Sequence, residues 1–290
     1  MTISIAIPTY GRGRVLCDTI GMLLALDVRA DEILVIDQTP EHPADVKSQL
    51  DAWNTSGAIR WIRLPRPSIT NAMNTALREA HSTHVLFLDD DIIPSRNLVA
   101  AHRDALQDPG VWAVAGQVLQ PGEEPRHSEE LHEDLEFGFD HDTPCDVRNV
   151  MAGNLAVDRE RALAIGGFDA NFVMVAYRFE TDFALRLVAA GGRIRFEPAA
   201  SIRHLKAPAG GIRTWGDHRT SASPAHSAGD YYFARKHIPH FWRYAATRLR
   251  KNVLTRFHLA HPWTIPAKLI GELRGLALGL KLAKRGQRLE

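Results

Sequence analysis

The stretch Thr83-His84-Val85-Leu86-Phe87-Leu88-Asp89-Asp90-Asp91-Ile92-Ile93-Pro94 decides the fold of this chain. Its four consecutive apolar residues, 85–88, predict a short strand that is buried on both faces. Three carboxylates follow where that strand ends, and converging carboxylates need a counter-ion. Hard oxygen ligands suit Mg²⁺ or Mn²⁺. A solvated acidic turn is the alternative, but the buried strand before it favours a metal-binding edge of a sheet.

Strands and helices alternate on both sides of this stretch. Apolar runs predict strands at 3–7, 33–36, 59–64, 111–118, 150–157 and 193–196, and helical spacing lies between most of them. This alternation predicts an α/β fold with a mainly parallel sheet covered by helices on both faces. Ligands of such sheets bind beyond the carboxyl ends of the strands. Polar residues at three of these ends, 8–14, 37–38 and 89–91, therefore predict one shared site.

The composition is that of a folded protein. With 290 residues and 45% hydrophobic content, the chain can form one large α/β domain with an appendage. Cys17 and Cys145 match no metal-ligand or redox spacing, which fits a reducing cytosol. A strand begins at Ile3, so no signal peptide is expected, and no apolar run reaches the ~18 residues of a membrane span.

The charge of the chain is unevenly distributed. Residues 231–290 contain 13 Lys and Arg against two acids, whereas residues 1–230 contain 22 against 32. We therefore divide the chain into an acidic domain at 1–230 and a basic, amphipathic helical extension at 231–290. A basic surface attracts anionic lipid, nucleic acid or an acidic ligand.

The basic extension also contains aromatic residues and an apolar helical face. The aromatic residues are Tyr231, Tyr232, Phe233, Phe241, Trp242, Tyr244, Phe257 and Trp263, and the face comprises Leu269, Ile270, Leu273, Leu276, Ala277, Leu280 and Leu282. This pattern favours a helix in a membrane interface with its aromatic side chains at headgroup depth. Packing on the acidic domain is the second interpretation. Nucleic acid is not an expected partner, because no nucleic-acid-binding fold is recognisable. The expected location is cytoplasmic, peripheral on the inner face of the cell membrane.

Residues 121–142 are rich in Glu, Asp and His. His127, His132 and His141 lie beside many carboxylates, but their spacing fits no compact metal-binding motif. A solvated or substrate-covering loop is therefore favoured over a second metal site.

A series of short motifs resembles glycosyltransferase family 2, whose members have the GT-A fold. The motifs span about residues 1–205 in family order, and the ordered series is far more specific than any one motif. They are Ile-Pro-Thr-Tyr-Gly-Arg (7–12), Glu-Ile-Leu-Val-Ile-Asp-Gln (32–38), the segment 68–77, Phe-Leu-Asp-Asp-Asp-Ile (87–92), Ala-Gly-Asn-Leu-Ala (152–156), Ile-Gly-Gly-Phe-Asp (165–169), Glu-Thr-Asp-Phe-Ala-Leu-Arg-Leu (180–187) and His204. The resemblance implies a Rossmann-like GT-A sheet and inverting sugar transfer from a nucleotide diphosphate.

The resemblance also implies a divalent cation, Mg²⁺ or Mn²⁺, which offsets the charge on the leaving diphosphate. Asp91 corresponds to the direct ligand, Asp89 faces the ribose and the metal, and Asp90 shapes the turn beside the nucleotide. His204 lies where many relatives place a further metal or diphosphate contact. A buried structural histidine is an equal alternative for His204.

The resemblance places the nucleotide pocket at the ends of the first two strands. Asp37, next to Gln38, would accept a hydrogen bond from the base, which favours a UDP- or dTDP-sugar because a carboxylate suits a pyrimidine imide N–H. Capping of a loop is the other role open to Asp37. The residues that would line the pocket after strand one are Pro8, Thr9, Tyr10 and Arg12.

Two positions depart from the family pattern. Met73-Asn74 stands where relatives have Arg-Asn, so Arg66 is the candidate replacement for the missing cation beside Asn74. Glu180 stands where relatives have the aspartate that acts as general base. Its carboxylate reaches one methylene further, and Asp182 is the second candidate for the base. Gly153 and Asn154 resemble the segment that lines the donor sugar and the acceptor.

These features predict an inverting, metal-dependent glycosyltransferase that acts on a lipid-linked glycan or polysaccharide. A nucleotidyltransferase is one rival, but it would have a Gly-rich phosphate loop after strand one, where 8–14 lacks that pattern. An aspartate-nucleophile phosphatase would carry its motif near the start of the chain. A non-catalytic scaffold or partner subunit with a nucleotide-sugar fold is the third rival, and the departures at Glu180 and Met73 leave it open.

Overall fold

The computed structural model describes residues 1–127, 137–211 and 216–289. The strands are β1 (Ile3–Thr9), β2 (Glu32–Asp37), β3 (Arg60–Arg63), β4 (His84–Leu88), β5 (Ile92–Pro94), β6 (Val111–Leu119), β7 (Cys145–Val147), β8 (Asn154–Asp158) and β9 (Arg193–His204). The helices are α1 (Arg14–Leu24), α2 (Ala44–Thr55), α3 (Ile69–Glu79), α4 (Leu98–Ala105), α5 (Arg159–Ala164), α6 (Phe179–Ala189), α7 (Ala228–His237), α8 (Phe241–Val253), α9 (Arg256–Ala260) and α10 (Ile265–Ala283).

The strands found in the described ranges form one sheet in the order β3-β2-β1-β4-β8-β6-β9-β5, with β7 paired to β9. The first four strands in this order are parallel, because a helix returns the chain between them. The second half is mixed: β8 runs antiparallel to β4 and β6, whereas β6 and β9 are parallel. The predicted α/β class is confirmed.

This topology gathers the predicted site at one edge of the sheet. The carboxyl ends of β1, β2, β4 and β9 lie at that edge, and the start of β8 joins them because β8 runs the opposite way. Asp37 ends β2, the triple aspartate follows β4, and His204 ends β9. Residues from distant parts of the chain therefore meet at one edge, as the alternating pattern predicts.

Strand β9 extends from Arg193 to His204, well beyond the strand predicted at 193–196. Its register with β6 shifts between Gly116↔Glu197 and Gln117↔Ser201, so residues 198–200 bulge from the sheet. Proline has no N–H for the ladder and is tolerated at a bulge. Pro198 therefore lies in a bulge within one strand.

The basic extension packs on the α/β body. The boundary predicted between residues 230 and 231 falls inside α7, and Tyr231, Tyr232 and Phe233 are at most 2% exposed. Tyr232 and Phe233 belong to the main hydrophobic core. The prediction that these three aromatic side chains lie at headgroup depth is corrected, because Tyr232 and Phe233 pack in the main core and Tyr231 packs against α8 and α10. The described helices include none with the length and apolar character needed to span a membrane.

Helix α10 approaches α7 closely through three glycines at four-residue spacing. A Cβ at Gly271 would lie 2.7 Å from Ser221 O, and one at Gly279 would lie 2.8 Å from Tyr231 Cβ and 2.9 Å from Tyr232 N. At Gly275 the added atom would overlap the Ser227 hydroxyl. Residues four apart lie on one helical face, so this face of α10 is shaped to receive the backbone before and within α7.

The acidic, histidine-rich segment at 121–142 is only partly described, and His132 lies outside the described residues. His127 Nδ1 lies 3.2 Å from the Asp142 carboxylate, and the His141 ring stacks on Phe137 with centroids 5.0 Å apart. These two histidines therefore have separate partners.

Candidate active site

Asp89, Asp91 and His204 form a cluster that can hold a metal ion. One ligand atom from each side chain lies within 4.8 Å of the others. His204 Nε2 is 3.2 Å from Asp91 Oδ1 and 3.8 Å from Asp89 Oδ2. The sequence predicted these three residues as metal ligands, and the fold brings them together. Among the described residues, no other group of histidine, cysteine and acidic side chains is arranged in this way.

The surroundings of Asp91 fit a cation. Its Oδ2 accepts a 2.8 Å hydrogen bond from Ala207 N, while its buried Oδ1 lacks a well-formed hydrogen bond within the described chain. Burial alone would raise the pKa of Asp91, but His204, the Ala207 N–H and Arg12 together hold it below its usual range. An ionised, incompletely satisfied carboxylate beside a second carboxylate and an imidazole is a suitable donor set for Mn²⁺ or Mg²⁺.

Two polar residues that the sequence did not single out hold this cluster in place. Gln120 Oε1 accepts a 3.1 Å hydrogen bond from His204 Nδ1, which leaves Nε2 facing the aspartates. Thr19 of α1 bonds the backbone of the acidic turn, donating to Asp90 O at 3.1 Å and accepting from Ile92 N at 3.2 Å. Neither position belongs to a recognisable motif, so only the fold identifies them.

Arg12 binds the acidic turn to two other loops. Its Nε donates to Asp90 Oδ1 at 2.7 Å, and Nη1 donates to Ala209 O at 2.8 Å. Thr9 Oγ1 donates to the other oxygen of Asp90 at 2.6 Å. Burial nevertheless raises the pKa of Asp90 to about 6. Thr9, Arg12 and Asp90, predicted as nucleotide contacts, are therefore engaged with one another in this arrangement.

The turn before β8 links the metal ligands to Glu180. Gly153 O accepts from Asp89 N at 3.2 Å, and a Cβ at Gly153 would lie 2.3 Å from Asp89 Oδ2. The adjacent Ala152 N donates to Glu180 Oε1 at 2.6 Å. The glycine is therefore required by the close approach of the Asp89 carboxylate, and the same turn holds the predicted base.

Glu180 has the protonation behaviour of a general base near neutral pH. It lies half-buried on the first turn of α6. Burial raises its pKa to about 7, with a further increase from Asp89, against a decrease from the Ala152 N–H. A carboxyl group with a pKa near the working pH both accepts and releases a proton readily.

Asp182, the second candidate for the general base, is not suited to that role. Its fully buried carboxylate accepts from Arg186 Nε at 2.8 Å, His237 Nε2 at 2.7 Å and Lys236 Nζ at 2.6 Å. Burial opposes ionisation, but His237, Arg186 and Lys236 outweigh it and lower the pKa of Asp182 to about 2. A carboxylate held ionised by three donors is a poor proton acceptor. Asp182 instead joins α6 to α7.

Asp37 and Gln38 are engaged with their own loops. Asp37 is fully buried, and its Oδ2 accepts from His42 Nε2 at 2.7 Å and Trp61 Nε1 at 2.9 Å, while Oδ1 accepts from Thr39 N at 2.8 Å. Gln38 Oε1 accepts from Ser68 N at 2.5 Å. Asp37 therefore caps its own loop. This corrects the prediction that it accepts a hydrogen bond from the nucleobase of the donor.

Asn74 and Asn154 were predicted to contact ligands, but their side chains bond to groups inside the protein. Asn74 is fully buried, donating to Phe168 O at 2.7 Å and Leu289 O at 2.8 Å and accepting from Phe168 N at 2.8 Å. Asn154 is also fully buried, with Nδ2 2.7 Å from Ala200 O and Oδ1 2.8 Å from His102 Nε2. Asn154 thus fills the bulge of β9. Met73 belongs to the hydrophobic core, so the departure at that position does not reach the site.

The remaining predicted residues lie around the cleft with differing availability. Arg66 is exposed on the loop between β3 and α3 and has no hydrogen-bond or ion-pair partner in the described chain, so it is free to meet an anion. Pro8 pairs with Ile36 inside the sheet, and Tyr10 O accepts from Gly211 N at 2.8 Å. The chain after β9 therefore packs against the loop after β1.

The sequence matches the family described as glycosyl transferase family 2 over residues 4–179. It is 31% identical over 142 residues to the pre-mycofactocin glycosyltransferase of Mycobacterium tuberculosis, a match that covers 46% of this chain and 29% of that relative. The match therefore spans less than a third of the length of the relative.

Solved structures share the fold at low sequence identity. A mannosyltransferase from Pyrobaculum calidifontis, in complex with GDP-Man and Mn²⁺, is 18% identical with a TM-score of 0.57 over 98% of this chain and 75% of its own. GalNAc-T7 with UDP, GalNAc and Mn²⁺ is 14% identical with a TM-score of 0.60 over 83% of this chain and 52% of its own. S. aureus TarS is 12% identical with a TM-score of 0.56 over 99% and 44%. With the family match over more than half of its length and a sheet of the fold shared with these structures, this chain belongs to glycosyltransferase family 2.

Proposed function

We propose that this enzyme transfers a sugar, with inversion, from a nucleoside-diphosphate sugar to a hydroxyl of a glycan or lipid-linked acceptor, and that the transfer depends on Mg²⁺ or Mn²⁺. The observation that carries the proposal is one turn, 152–153, which contacts both the Asp89 carboxylate and Glu180. A candidate metal site and a carboxyl group with a pKa of about 7 thereby lie beside the same turn.

Asp89, Asp91 and His204 would hold the cation. When bound, the cation supplies positive charge that neutralises the leaving diphosphate. The relatives from Pyrobaculum calidifontis and GalNAc-T7 contain Mn²⁺ with a nucleotide or nucleotide sugar, which supports this assignment. Gln120 would orient His204 through its Nδ1, and Arg12 would keep Asp90 and Asp91 in register.

In the proposed step, the oxygen of an acceptor hydroxyl forms a bond to the anomeric carbon while the bond from that carbon to the diphosphate breaks. The hydroxyl proton passes to the carboxylate of Glu180, and the nucleoside diphosphate leaves with the bonding electron pair. Attack from the face opposite the leaving group inverts the anomeric centre. Glu180 is suited to this proton transfer because its pKa lies near neutral pH.

The preference for a UDP- or dTDP-sugar rested on Asp37, whose oxygens are engaged with His42, Trp61 and Thr39. The proposal therefore extends to nucleoside-diphosphate sugars in general, with Arg66 as an exposed cation near the pocket.

We further propose that the protein works on a membrane surface, on the cytoplasmic side, where it meets a lipid-linked acceptor. The support is the basic composition of residues 231–290 together with exposed apolar side chains on this region. Trp242, Leu259 and Trp263 are 67%, 65% and 72% exposed, respectively. Cations and exposed aromatic side chains on one region are typical of proteins that bind at the lipid headgroups.

The test is a calorimetric titration of the full chain with a panel of nucleoside diphosphates, each with Mn²⁺ and with a chelator. We expect at least one nucleotide to bind only with Mn²⁺. Asp91→Ala should abolish this metal-dependent binding, whereas Asp45→Ala, which removes an exposed acid of α2, should retain it. Unchanged Mn²⁺-dependent binding in Asp91→Ala would remove Asp91 as a ligand. Absence of binding by every nucleotide would favour the non-catalytic scaffold.

A further inference from the structure

A groove lies where the C-terminal ends of α7 and α10 meet the start of α8. Its volume is about 670 Å³. Phe241 and Trp242 of α8 line it together with Leu280 and Ala283 of α10, so much of its wall is apolar. The Trp242 ring packs edge-on against Phe241, with the ring centroids 5.1 Å apart, yet the side chain stays 67% exposed at the groove. This exposed ring can contact the apolar part of a ligand held in the groove.

Three cations complete the lining of this groove. Lys236 is already committed, with its Nζ 2.8 Å from Asp169 Oδ2 and 2.6 Å from Asp182 Oδ1. Arg235 and Lys284 are exposed, and neither has an acidic partner in the parts of the chain that the structure describes. The groove thus presents two uncompensated positive charges beside an apolar wall.

A second cavity shows that this charge pattern is not general. It lies between α4 and β9, with a volume of about 840 Å³, and is lined by both acids and arginines. There Arg193 pairs with Asp108 and Asp146, and Arg195 pairs with Asp146. In contrast, none of the described residues that line the C-terminal groove is acidic.

We propose that the C-terminal groove binds the headgroup region of an anionic phospholipid at a bilayer surface. Arg235 and Lys284 would pair with the lipid phosphate, and Trp242 and Leu280 would contact the apolar part of the lipid next to it. The charge of the groove and its apolar wall match the two halves of such a lipid. The inference rests on the proposed membrane association and names the residues responsible for it.

The position of the groove also connects it to the candidate active site. Lys236 contributes to its wall and binds Asp182 on the first turn of α6, two residues from Glu180. A lipid seated here would therefore place the membrane surface next to the helix that carries the proposed base. This arrangement would deliver a lipid-linked acceptor to the cleft from the bilayer.

The first experiment measures flotation of the full chain with vesicles of phosphatidylcholine alone or mixed equally with phosphatidylglycerol. We expect binding to the anionic vesicles only. The double variant Arg235→Gln/Lys284→Gln should lower the partition coefficient about 25-fold, because each cation near an anionic surface contributes roughly fivefold.

The matched control is Arg250→Gln/Lys251→Gln, which removes two exposed cations from the other end of α8. These residues lie roughly 12 Å along the helix from Trp242, which exceeds the Debye length of about 8 Å at physiological salt. We expect the control to lose less than about threefold in affinity. Equal losses in the two double variants would show a diffuse basic surface and overturn the assignment to the groove.

A second experiment locates the lipid by fluorescence. Brominated acyl chains quench tryptophan on contact, and we expect quenching of the wild type to fall sharply in Trp242→Phe and to persist in Trp263→Phe. Trp263 is the matched control, since it is 72% exposed but does not line the groove. Equal quenching in Trp242→Phe and the wild type would exclude this groove as the lipid site.

The outcomes separate this inference from the proposals on which it rests. If the wild type binds no vesicles, both the groove and the membrane association fail, while metal-dependent nucleotide binding still decides the catalytic proposal. If the wild type binds and the groove variant binds equally well, only the groove fails.

Discussion

Glu180 and Asp182 lie two residues apart on one helix, yet their surroundings move their pKa values in opposite directions. Glu180 is half-buried beside Asp89, which raises its pKa to about 7. Asp182 is fully buried but meets His237, Arg186 and Lys236, which lower its pKa to about 2. Two carboxyl groups with separated pKa values have separate roles. Glu180 is suited to proton transfer, and Asp182 to holding α6 against α7.

Replacement of Glu180 by glutamine should reduce turnover about 10²-fold or more while nucleotide affinity stays nearly unchanged. Because Glu180 must be ionised to accept a proton, the rate of the wild type should rise with pH through about pH 7 and then level. This rise of the rate with pH should disappear in Glu180→Gln. Initial rates of donor consumption across the pH range, with nucleotide binding measured by calorimetry, provide the check.

The control for this prediction is Asp182→Asn, assayed at a temperature where the variant remains folded. Its activity should still rise through about pH 7, because Glu180 is intact. If the rise of the rate with pH is lost in Asp182→Asn and retained in Glu180→Gln, Asp182 is the general base and Glu180 is not.

Gly153→Ala should weaken Mn²⁺ binding while the protein remains folded. The new Cβ would lie 2.3 Å from Asp89 Oδ2, so the carboxylate must move out of the cluster. Calorimetric titration with Mn²⁺ measures the change, and we expect a loss of about tenfold or more, as for altered metal-ligand placement generally. Wild-type Mn²⁺ affinity in this variant would show that Asp89 is not a ligand.

The chemistry of the site was partly predictable at the residue scale. Asp89, Asp91 and Glu180 were found because a buried strand or an ordered motif fixes where their side chains point. Asn74, Asn154 and Asp37 were misassigned, because an amide or carboxylate looks the same in sequence whether it meets a ligand or backbone groups. Gln120 and Thr19 were missed for a related reason: a hydrogen bond across the fold leaves no local pattern.

Elements were easier to predict than their ends. The strands at 33–36 and 85–88 appear as β2 and β4 with at most one added residue at either end, since continuous apolar runs mark buried strands. The strand expected at 150–157 begins only at Asn154, because the turn before it serves Asp89 and Glu180 instead of the ladder. The start of β8 therefore lies later than the apolar pattern alone predicts, because the turn before it contacts the candidate site.

The bulge of β9 predicts an acid-sensitive element. Burial lowers the pKa of His102 to about 4, against a smaller increase from its hydrogen bond with Asn154. The folded state therefore resists protonation, whereas the unfolded chain takes up the proton below about pH 6.5. Stability should fall as the pH drops from about 6.5 to 4, by about 2 kcal/mol at pH 5. Urea unfolding at pH 7 and pH 5 should show this loss in the wild type and a smaller one in His102→Gln.

The glycine face of α10 gives a second prediction for an element. Alanine stabilises most helix interiors by about 1 kcal/mol relative to glycine. Gly279→Ala should nevertheless destabilise the protein, since its Cβ would lie 2.9 Å from Tyr232 N. Gly21→Ala in α1, where nothing lies within 4 Å of the added atom, should be neutral or stabilising. Chemical denaturation of both variants decides the matter, and a stabilising Gly279→Ala would contradict the packing described.

At the scale of the whole molecule, the body and the basic extension share one core. Asp169 illustrates the connection, because its Oδ2 accepts from Tyr232 OH at 2.6 Å and from Lys236 Nζ at 2.8 Å. The sequence showed the charge asymmetry and the helices but not this interface. Interleaved aromatic and basic residues are typical of segments that contact either a membrane or a protein surface. Here acidic side chains on the body, such as Asp169, bind the basic residues of α7, so α7 packs on the protein.

The shared core predicts cooperative unfolding. We expect a single calorimetric transition for the full chain, since separating α7 from α6 would expose Tyr232 and Phe233 and leave Asp182 without its contacts to Lys236 and His237. Two resolved transitions would indicate that residues 231–290 form an independent unit. The calorimetric enthalpy should equal the van't Hoff enthalpy if one unit unfolds.

The placement of the metal ligands also affects events during synthesis. Asp89 and Asp91 leave the ribosome with β4, but His204 follows only at the end of β9, several seconds later at a translation rate of about 5–20 residues per second. Lys236 and His237, which secure the helix of Glu180, emerge later still. With the proposed ligand set, a nascent chain would therefore offer a cation only two carboxylates, and tight binding of the ion would require the completed sheet.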